Sequence, residues 1–219
     1  MWVIPAASAE FVCQMEQVLD VYQRPYAEHY PVVCLDESPK QLISASRTPL
    51  KSSKGTTLYD SEYVRHSLVQ IYMLFEPLAG KRTVELRQSN NRLEWAKVVA
   101  DMVEKQYAAA TKITLVQDNL KAHKPAALYE VFEPQRAKAI LDKIEFVFTP
   151  KHGSWLNMAE IEFSVLKRQV TKHRMADKQL LAQHIECWQR ERNQKQVKAN
   201  WHFQTNDARI KLRKLYPTI

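Results

Sequence analysis

Residues Ile144–Val170 decide the fold prediction, and they read IEFVFTPKHGSWLNMAEIEFSVLKRQV. The segment opens with Ile144–Phe148, an apolar and aromatic-rich run of strand length. Pro150 and Gly153 then indicate a turn. From about residue 155 a helix is predicted, because apolar side chains recur at three- and four-residue steps. These apolar positions are Leu156, Ala159, Phe163, Leu166 and Val170.

The totals are those of a soluble globular protein with a full hydrophobic core. The chain has 219 residues, of which 45% are hydrophobic and 26% are charged. No apolar run approaches the roughly 20 residues that span a bilayer, and the N-terminus lacks the pattern of a secretory signal. The three cysteines are isolated from one another, so we expect neither a zinc site nor a disulfide framework. The expected location is therefore a reducing cytoplasm.

Positive charge is concentrated in the C-terminal quarter. From Phe163 onward there are 13 Lys and Arg against 4 Asp and Glu, a balance of +9. The preceding residues carry 19 against 20, a balance of −1. A basic face on an otherwise neutral domain is typical of a protein that binds a polyanion, most often nucleic acid. The alternative is a helical surface whose charges serve solubility alone.

The remaining elements predict an α/β fold, with a mixed central sheet flanked by helices. Strands are predicted at 32–35, 68–75, 83–86 and 112–117, and helices at 8–22, 91–107 and 125–141. Residues 40–60 are expected to form an exposed loop. A last long helix is predicted to begin after Asp177 as its N-cap. Its inward positions are predicted to be Leu180, Leu181, His184, Ile185 and Trp188.

Three acidic residues follow this pattern in a way that suggests a metal site. Asp36 and Asp118 are each predicted to end a buried strand, and Glu160 lies on the helix after a third strand. Functional groups gather at the carboxyl ends of such strands, and three carboxylates meeting there require a cation. Hard oxygen ligands suit Mg²⁺ or Mn²⁺, and two such ions can cut a phosphodiester. Each acid taken alone has the ordinary interpretation of a capping or turn residue.

Two histidines follow strand ends, and the rest of the chain lacks the motifs of other enzyme classes. His123 and His152 could act as phosphate donors or as general acid or base, or as hydrogen-bonded structural residues. The three glycines form no phosphate-binding loop or dinucleotide fingerprint.

Five segments resemble the catalytic domain of bacterial insertion-sequence transposases, specifically the mariner-like insertion sequence six-thirty group. The segments are Leu35–Ser38 (LDES), Gln117–His123 (QDNLKAH), Thr149–Glu160 (TPKHGSWLNMAE), Asn200–Phe203 (NWHF) and Asp207–Leu212 (DARIKL). The resemblance covers essentially the whole chain, and residues 156–160 are the most specific part of it. It implies a ribonuclease H-like fold of the retroviral-integrase superfamily, with a basic helical C-terminal tail.

The resemblance also implies roles for individual residues. Asp36, Asp118 and Glu160 would be the Asp-Asp-Glu triad that binds two Mg²⁺ or Mn²⁺ ions, with His123 and Asn119 beside the metal site. The family motif favours Glu160 over Glu162, although helix geometry leaves that choice open, and Glu37 remains a weaker alternative to Asp36. The expected contacts to DNA phosphates are Lys151, His152, Lys167, Arg168, Lys172, Arg174 and the basic residues of the tail.

Full transposases of this group carry an N-terminal helix-turn-helix region that binds the transposon ends. We divide this chain into an N-terminal helix and linker (1–30), a catalytic domain (31–175) and a basic helical extension packed on it (176–219). The expectation is therefore the second half of a split reading frame, with a separate helix-turn-helix partner, or a truncated copy. A homodimer acting on DNA at the nucleoid, with no membrane association, is expected. The open alternatives are a standalone nuclease and a DNA-binding remnant without activity.

Overall fold

A computed structural model describes residues 8–48, 50–58, 60–120 and 123–217. Residues 1–7 of the predicted N-terminal segment and 218–219 of the predicted extension lie outside this range. The helices are α1 (Ala9–Tyr22), α2 (Arg92–Asp101), α3 (Ala127–Val131), α4 (Pro134–Asp142), α5 (Ala159–Leu166), α6 (Lys178–Gln194) and α7 (Thr205–Lys211). The strands are β1 (Val32–Ala45), β2 (Leu50–Lys51), β3 (Thr57–Leu58), β4 (Tyr63–Glu76), β5 (Lys81–Arg87), β6 (Ile113–Gln117) and β7 (Ile144–Phe148). Short π-helical turns (Met102–Gln106, Lys167–Thr171) and 3₁₀ turns (Ser154–Leu156, Arg213–Leu215) extend these elements.

Within the described residues, five strands form one mixed sheet in the order β5-β4-β1-β6-β7. The pairs β1–β4 and β4–β5 are antiparallel, while β1–β6 and β6–β7 are parallel. The predicted hairpin of two strands is β4–β5, and its turn contains Gly80 at φ +67°. A Cβ at Gly80 would lie 2.5 Å from the backbone of Gln196, so the turn requires glycine. The predicted mixed sheet flanked by helices is confirmed.

The first strand is much longer than the sequence indicates. β1 does not stop before Asp36 but continues to Ala45, because it pairs with β4 from Cys34 opposite Phe75 to Ala45 opposite Tyr63. Pro39 is accommodated inside it, since the parallel pairing with β6 covers only Val32–Cys34 and a strand tolerates proline where one edge is unpaired. The predicted loop at 40–60 is therefore wrong in part, because it also contains β2 and β3.

The core has one layer on each face of the sheet. Val33 and Leu35 of β1 pack with α2, α3 and α4. Cys34, which points to the opposite face, packs with α1, α5, α6 and the C-terminal residues. This alternation follows from the period of two along a strand, and it leaves both faces of the central strands buried.

Two helix predictions need correction. The helix expected from about residue 155 is interrupted: a 3₁₀ turn ends at Leu156, and α5 begins only at Ala159. The backbone between them is extended at Asn157, whose side chain makes the contacts described below. In α6 the N-cap Asp177 is confirmed by its bond from Leu180 N at 2.7 Å. Leu180 and His184 are exposed, however, so only Leu181, Ile185 and Trp188 face the core.

The C-terminal residues pack against α1 over its whole length. Ser8 N donates to Leu215 O at 3.1 Å, Arg209 pairs with Glu16 at 2.8 Å, and Trp201 lies 5.3 Å from Tyr22 between ring centroids. Both ends of the described chain thus belong to one core layer. No helix among the described residues is long and apolar enough to cross a bilayer.

Candidate active site

The parallel register of β1 and β6 brings two of the predicted acids together. Cys34 lies opposite Val116, and continuing the register by two residues puts Asp36 beside Asp118. Cys34 and Val116 both face the layer that contains α5, and alternation along β1 directs Asp36 to that same face; Asp118 lies just past the end of β6, and its carboxylate contacts His123. Asp36 lies within β1 rather than at its end, which corrects the predicted position, whereas Asp118 directly follows β6 as predicted.

Asn157 and Tyr22 fix the start of α5, which carries Glu160. The Asn157 Nδ2 group donates to Leu35 O at 2.8 Å, and its Oδ1 accepts from Ala159 N at 3.1 Å. One buried amide thereby joins the backbone next to Asp36 to the first turn of the helix. The Tyr22 hydroxyl donates to Leu156 O at 2.7 Å, which holds the preceding 3₁₀ turn against α1.

Asp36 experiences the electrostatic field that the predicted triad requires. Burial, followed by the negative charges of Glu160, Glu37 and Asp118, raises the pKa of Asp36 to about 8. The Glu37 backbone N–H opposes this shift by donating to Asp36 Oδ1 at 2.9 Å. Burial likewise raises the pKa of Glu160. The neighbouring carboxylates are therefore close enough to disfavour the ionised form of Asp36.

This donor set fits a hard divalent cation. Oxygen ligands in a site where negative charge is uncompensated are what Mg²⁺ and Mn²⁺ bind, and a cation would restore the ionised form of Asp36. In the described ranges, no group of three or more His, Cys, Asp or Glu side chains has the spacing of a finished coordination shell. The carboxylates interact electrostatically without yet converging on one point.

His123 is buried between two carboxylates. Its Nδ1 contacts Asp118 Oδ1, its Nε2 lies 3.3 Å from Glu37 Oε1, and its side chain is only 1% exposed. The ring stacks on Trp95 with a centroid distance of 5.9 Å. Hydrogen bonds to the two acids raise the pKa of His123 to about 9, although burial acts as the largest single influence in the opposite direction. The sequence placed His123 beside the metal site and missed its contact with Glu37.

The structure distinguishes Glu160 from Glu162. Glu162 is buried and binds Arg192 through both oxygens, at 2.7 and 3.1 Å, while Arg82 Nε lies 3.1 Å from Oε2. These contacts join α5 to β5 and α6 and occupy the carboxylate completely. Glu160 is exposed instead, and it is the residue whose charge acts on Asp36. The geometry favours Glu160 as the acid of the site.

Two clefts flank the acids. The larger, of about 780 Å³, is lined by Asp118, Asn119, Lys151 and His152 together with the start of α1. His152 adopts φ +64°, a left-handed conformation that is costly for a non-glycine residue and concentrates at functional sites.

The smaller cleft, of about 350 Å³, lies between β1 and α5. It is lined by Glu160, Lys167 and Lys40, whose Nζ bonds the carbonyl of Thr171. Lys40 was missed by sequence reasoning because it was assigned to a loop.

The other predicted DNA contacts are placed less favourably. Arg168 is exposed on the π-helical turn after α5 and Lys172 directly after that turn, and neither lines a cleft. Arg174 donates to the carbonyls of Asp60 and Glu62 and so ties down the segment before β4. In the tail, Arg209 is paired with Glu16. The predicted basic residues thus fall into three groups: those at the clefts, those exposed away from the clefts, and those with structural partners.

Comparison with known proteins gives the same assignment at the level of the fold. Residues 31–181 match the family described as DDE superfamily endonuclease. A search of the curated proteins gave no match.

Among solved structures, the Mos1 mariner paired-end complex with Mn superposes with a TM-score of 0.60 at 13% identity, over 90% of this chain and 61% of that chain. The Mos1 transposase paired-end complex with left transposon end gives 0.57 at 11% identity, over 90% and 64%. The mariner Mos1 paired-end complex with Mg gives 0.55 at 12%, over 90% and 64%. This chain therefore spans less than two thirds of the length of those proteins, and the likeness confirms the predicted ribonuclease H-like fold.

Proposed function

The chain belongs to the DDE superfamily endonuclease family, and from this premise we propose that it is the catalytic domain of a DNA transposase. In this proposal it cuts phosphodiester bonds at transposon ends and transfers the freed 3′-hydroxyl to target DNA. The sequence motifs around Asp36, Asp118 and Glu160 favour the mariner-like insertion sequence six-thirty group within that family. The structural neighbours, which are transposase complexes with transposon ends, support the substrate class.

The observation that carries the proposal is the electrostatic influence of Glu160 and Asp118 on Asp36. Asp36 would be a metal ligand supplied by β1, Asp118 by the end of β6, and Glu160 by the first turn of α5. Burial, followed by the negative charges of Glu160, Glu37 and Asp118, raises the pKa of Asp36 to about 8. Carboxyl groups with strongly raised pKa values are concentrated at functional sites, so this cluster indicates a functional role.

We propose that these three carboxylates bind two Mg²⁺ or Mn²⁺ ions. When bound, the ions would supply activation of a nucleophilic oxygen and stabilisation of the leaving oxygen. Solved neighbours that contain Mn and Mg support this choice of metal. The role of the protein is to hold the carboxylates at fixed positions, through the register of β1 with β6 and through Asn157.

The clefts on either side of the acids would accept the DNA backbone. Lys151 and His152 in the larger cleft, and Lys40 and Lys167 in the smaller one, would contact phosphates without reading sequence. Arg168 and Lys172 would extend this surface. We further propose a homodimer that acts at the nucleoid in the cytoplasm, and a helix-turn-helix partner that recognises the transposon ends.

The direct test is metal-dependent nicking of a supercoiled plasmid by the purified chain in Mg²⁺ or Mn²⁺, beside Glu160→Gln and Asp118→Ala. We expect cutting by the wild type that both variants lack, with DNA affinity in EDTA unchanged. Cutting by either variant at the wild-type rate would refute the assignment of the triad. A labelled 3′-end that becomes joined to a second duplex distinguishes strand transfer from hydrolysis alone.

The salt dependence of DNA binding tests the phosphate contacts separately. The logarithm of the binding constant should fall linearly with the logarithm of the salt concentration, and Lys151→Ala or Lys167→Ala should reduce that slope by about one phosphate contact each. An affinity that is indifferent to salt would contradict a backbone-binding surface. Salt-dependent DNA binding by a wild-type protein that never cuts, even beside a helix-turn-helix partner, would indicate a remnant without activity.

A further inference from the structure

The acid that follows Asp36 is buried in a way that its charge does not explain. The Glu37 side chain is 6% exposed, and its Oε2 is buried without a hydrogen-bond partner among the described residues. Leaving a carboxylate oxygen desolvated and unpaired costs free energy. Its other oxygen lies 3.3 Å from His123 Nε2. The cost of burying the Glu37 carboxylate indicates that this side chain has a specific role at its position.

His123 is held from several directions at once. Trp95 stacks on one face of the imidazole, and the Trp95 indole N–H donates to Gln117 Oε1 at 3.0 Å. Gln117 Nε2 in turn donates to His123 O at 3.3 Å. Nδ1 contacts Asp118 Oδ1, whereas Nε2 is buried without a hydrogen bond among the described residues and lies 3.3 Å from Glu37 Oε1, within ion-pair distance. Because the side chain is only 1% exposed, both nitrogens are closed off from a substrate.

We propose that Glu37 and His123 form a clasp that orients Asp118, and that both are positioning residues rather than groups that touch DNA. The inference rests on the proposed function, in which Asp118 is a metal ligand. Glu37 lies against the far nitrogen of the imidazole, and the near nitrogen contacts Asp118 Oδ1, which leaves Asp118 Oδ2 available to a metal ion. This arrangement replaces the direct acid–base role that the sequence suggested for His123.

The geometry also separates Glu37 from the ligand set. Alternation along β1 puts Glu37 on the face of Leu35, which packs with α2, whereas Asp36 shares the face of Cys34 with α5. The Glu37 carboxylate thus contacts the candidate site through His123, while its charge and its backbone N–H also act on Asp36. Residues that orient a metal ligand without touching the metal typically change metal affinity or activity by about 10- to 100-fold.

The test combines three single variants with the double variant Glu37→Leu/His123→Gln. Glu37→Leu removes both oxygens at similar volume, Glu37→Gln keeps an acceptor for His123 Nε2, and His123→Gln removes the imidazole. Glu145→Gln, an exposed acid of β7 remote from the clasp, serves as the matched control. Mn²⁺ binding is measured directly from the electron paramagnetic resonance signal of free Mn²⁺, and plasmid nicking is followed across Mn²⁺ concentrations.

We expect Glu37→Leu and His123→Gln each to raise the half-saturating Mn²⁺ concentration by roughly 10- to 100-fold, with DNA affinity in EDTA unchanged. Because the two residues act in series, the double variant should be no weaker than the worse single variant. Glu37→Gln should recover most of the loss, and the Glu145→Gln control should match the wild type.

Three results would overturn the clasp. Effects that multiply in the double variant would mean that Glu37 and His123 act independently. Loss of Mn²⁺ binding in Glu37→Leu as complete as in Asp118→Ala would make Glu37 a ligand, and wild-type binding by both single variants would leave it without a role. If Glu37→Leu does not fold, the comparison of Glu37→Gln with His123→Gln decides. A wild type that neither binds Mn²⁺ nor cuts refutes the proposed function instead.

Discussion

Glu160 and Glu162, two residues apart on α5, should respond oppositely to loss of charge. Glu162 is the carboxylate that pairs with both Arg82 and Arg192. The side chains of Arg82 and Glu162 are 0% and 3% exposed, so Glu162→Gln leaves a buried cation without its anionic partner. Removing one partner of a buried ion pair costs about 3–5 kcal/mol, because the remaining charge stays desolvated. For a chain of this size 1 kcal/mol corresponds to about 2–4 °C in Tm. The variant should therefore melt roughly 6–20 °C below the wild type.

Glu160→Gln is the matched control, since it makes the same chemical change on the same helix. Glu160 is exposed and its ionised form is disfavoured in the folded protein, where burial raises its pKa. Neutralising it should leave Tm unchanged or slightly higher. Activity should show the reverse order: Glu162→Gln should nick DNA at a temperature where it is folded, and Glu160→Gln should not.

Thermal unfolding followed by circular dichroism in EDTA measures both variants without bound metal. A Glu162→Gln protein that melts within about 2–4 °C of the wild type, equivalent to 1 kcal/mol, would refute the buried ion-pair reasoning. A Glu160→Gln protein that loses as much stability as Glu162→Gln would show that the exposed acid has a structural role. Either result would reopen the choice between the two acids.

Two other predictions follow from single contacts. Asn157→Ala removes the partner of Leu35 O and Ala159 N, so the free energy of unfolding, measured by urea denaturation, should fall by about 1–3 kcal/mol. Nicking activity should fall by more than this loss of stability explains. A variant as stable as the wild type would refute the tie between β1 and α5. The ion pair with Arg24 lowers the pKa of Glu145 to about 2. This pair therefore contributes to the free energy of unfolding above the ordinary Glu pKa near 4.5, and the contribution is lost as pH falls toward 2. Because both side chains are more than a third exposed, it should amount to at most about 1 kcal/mol, and the Tm difference between wild type and Glu145→Gln should shrink from pH 6 to pH 3; a difference that grows on acidification would contradict the sign.

Local sequence patterns predicted the elements well where one interaction dominates. The N-cap Asp177 is confirmed, and the helices predicted to begin at residues 8 and 91 are capped by Ser8 and Asn91, since a capping side chain bonds the backbone within three residues. The continuation of β1 beyond Asp36 was missed because its support is the antiparallel pairing with β4, some thirty residues away along the chain. The polar and proline-containing sequence there resembles a loop until that partner strand is known.

The acids of the candidate site were recognisable for a similar reason, and their supports were not. Asp36, Asp118 and Glu160 follow apolar runs that identify them by position. Nothing local marks Glu37 as the contact of His123, or Arg82 and Arg192 as the contacts of Glu162, because each pair is joined only by the folded sheet and helices. A charge at helical spacing has the same local pattern whether it faces solvent or a buried arginine.

The position of Glu160 depends on residues from both ends of the chain. The Tyr22 hydroxyl holds Leu156 O, and the Tyr22 ring packs against Trp201, which also stacks on Trp155 at 6.4 Å. The residues after α6 therefore pack α1 against the 3₁₀ turn that precedes α5. A basic tail that only bound DNA would have no need of these aromatic contacts. Its apolar residues are better explained as part of the packing that positions the start of α5, and with it Glu160.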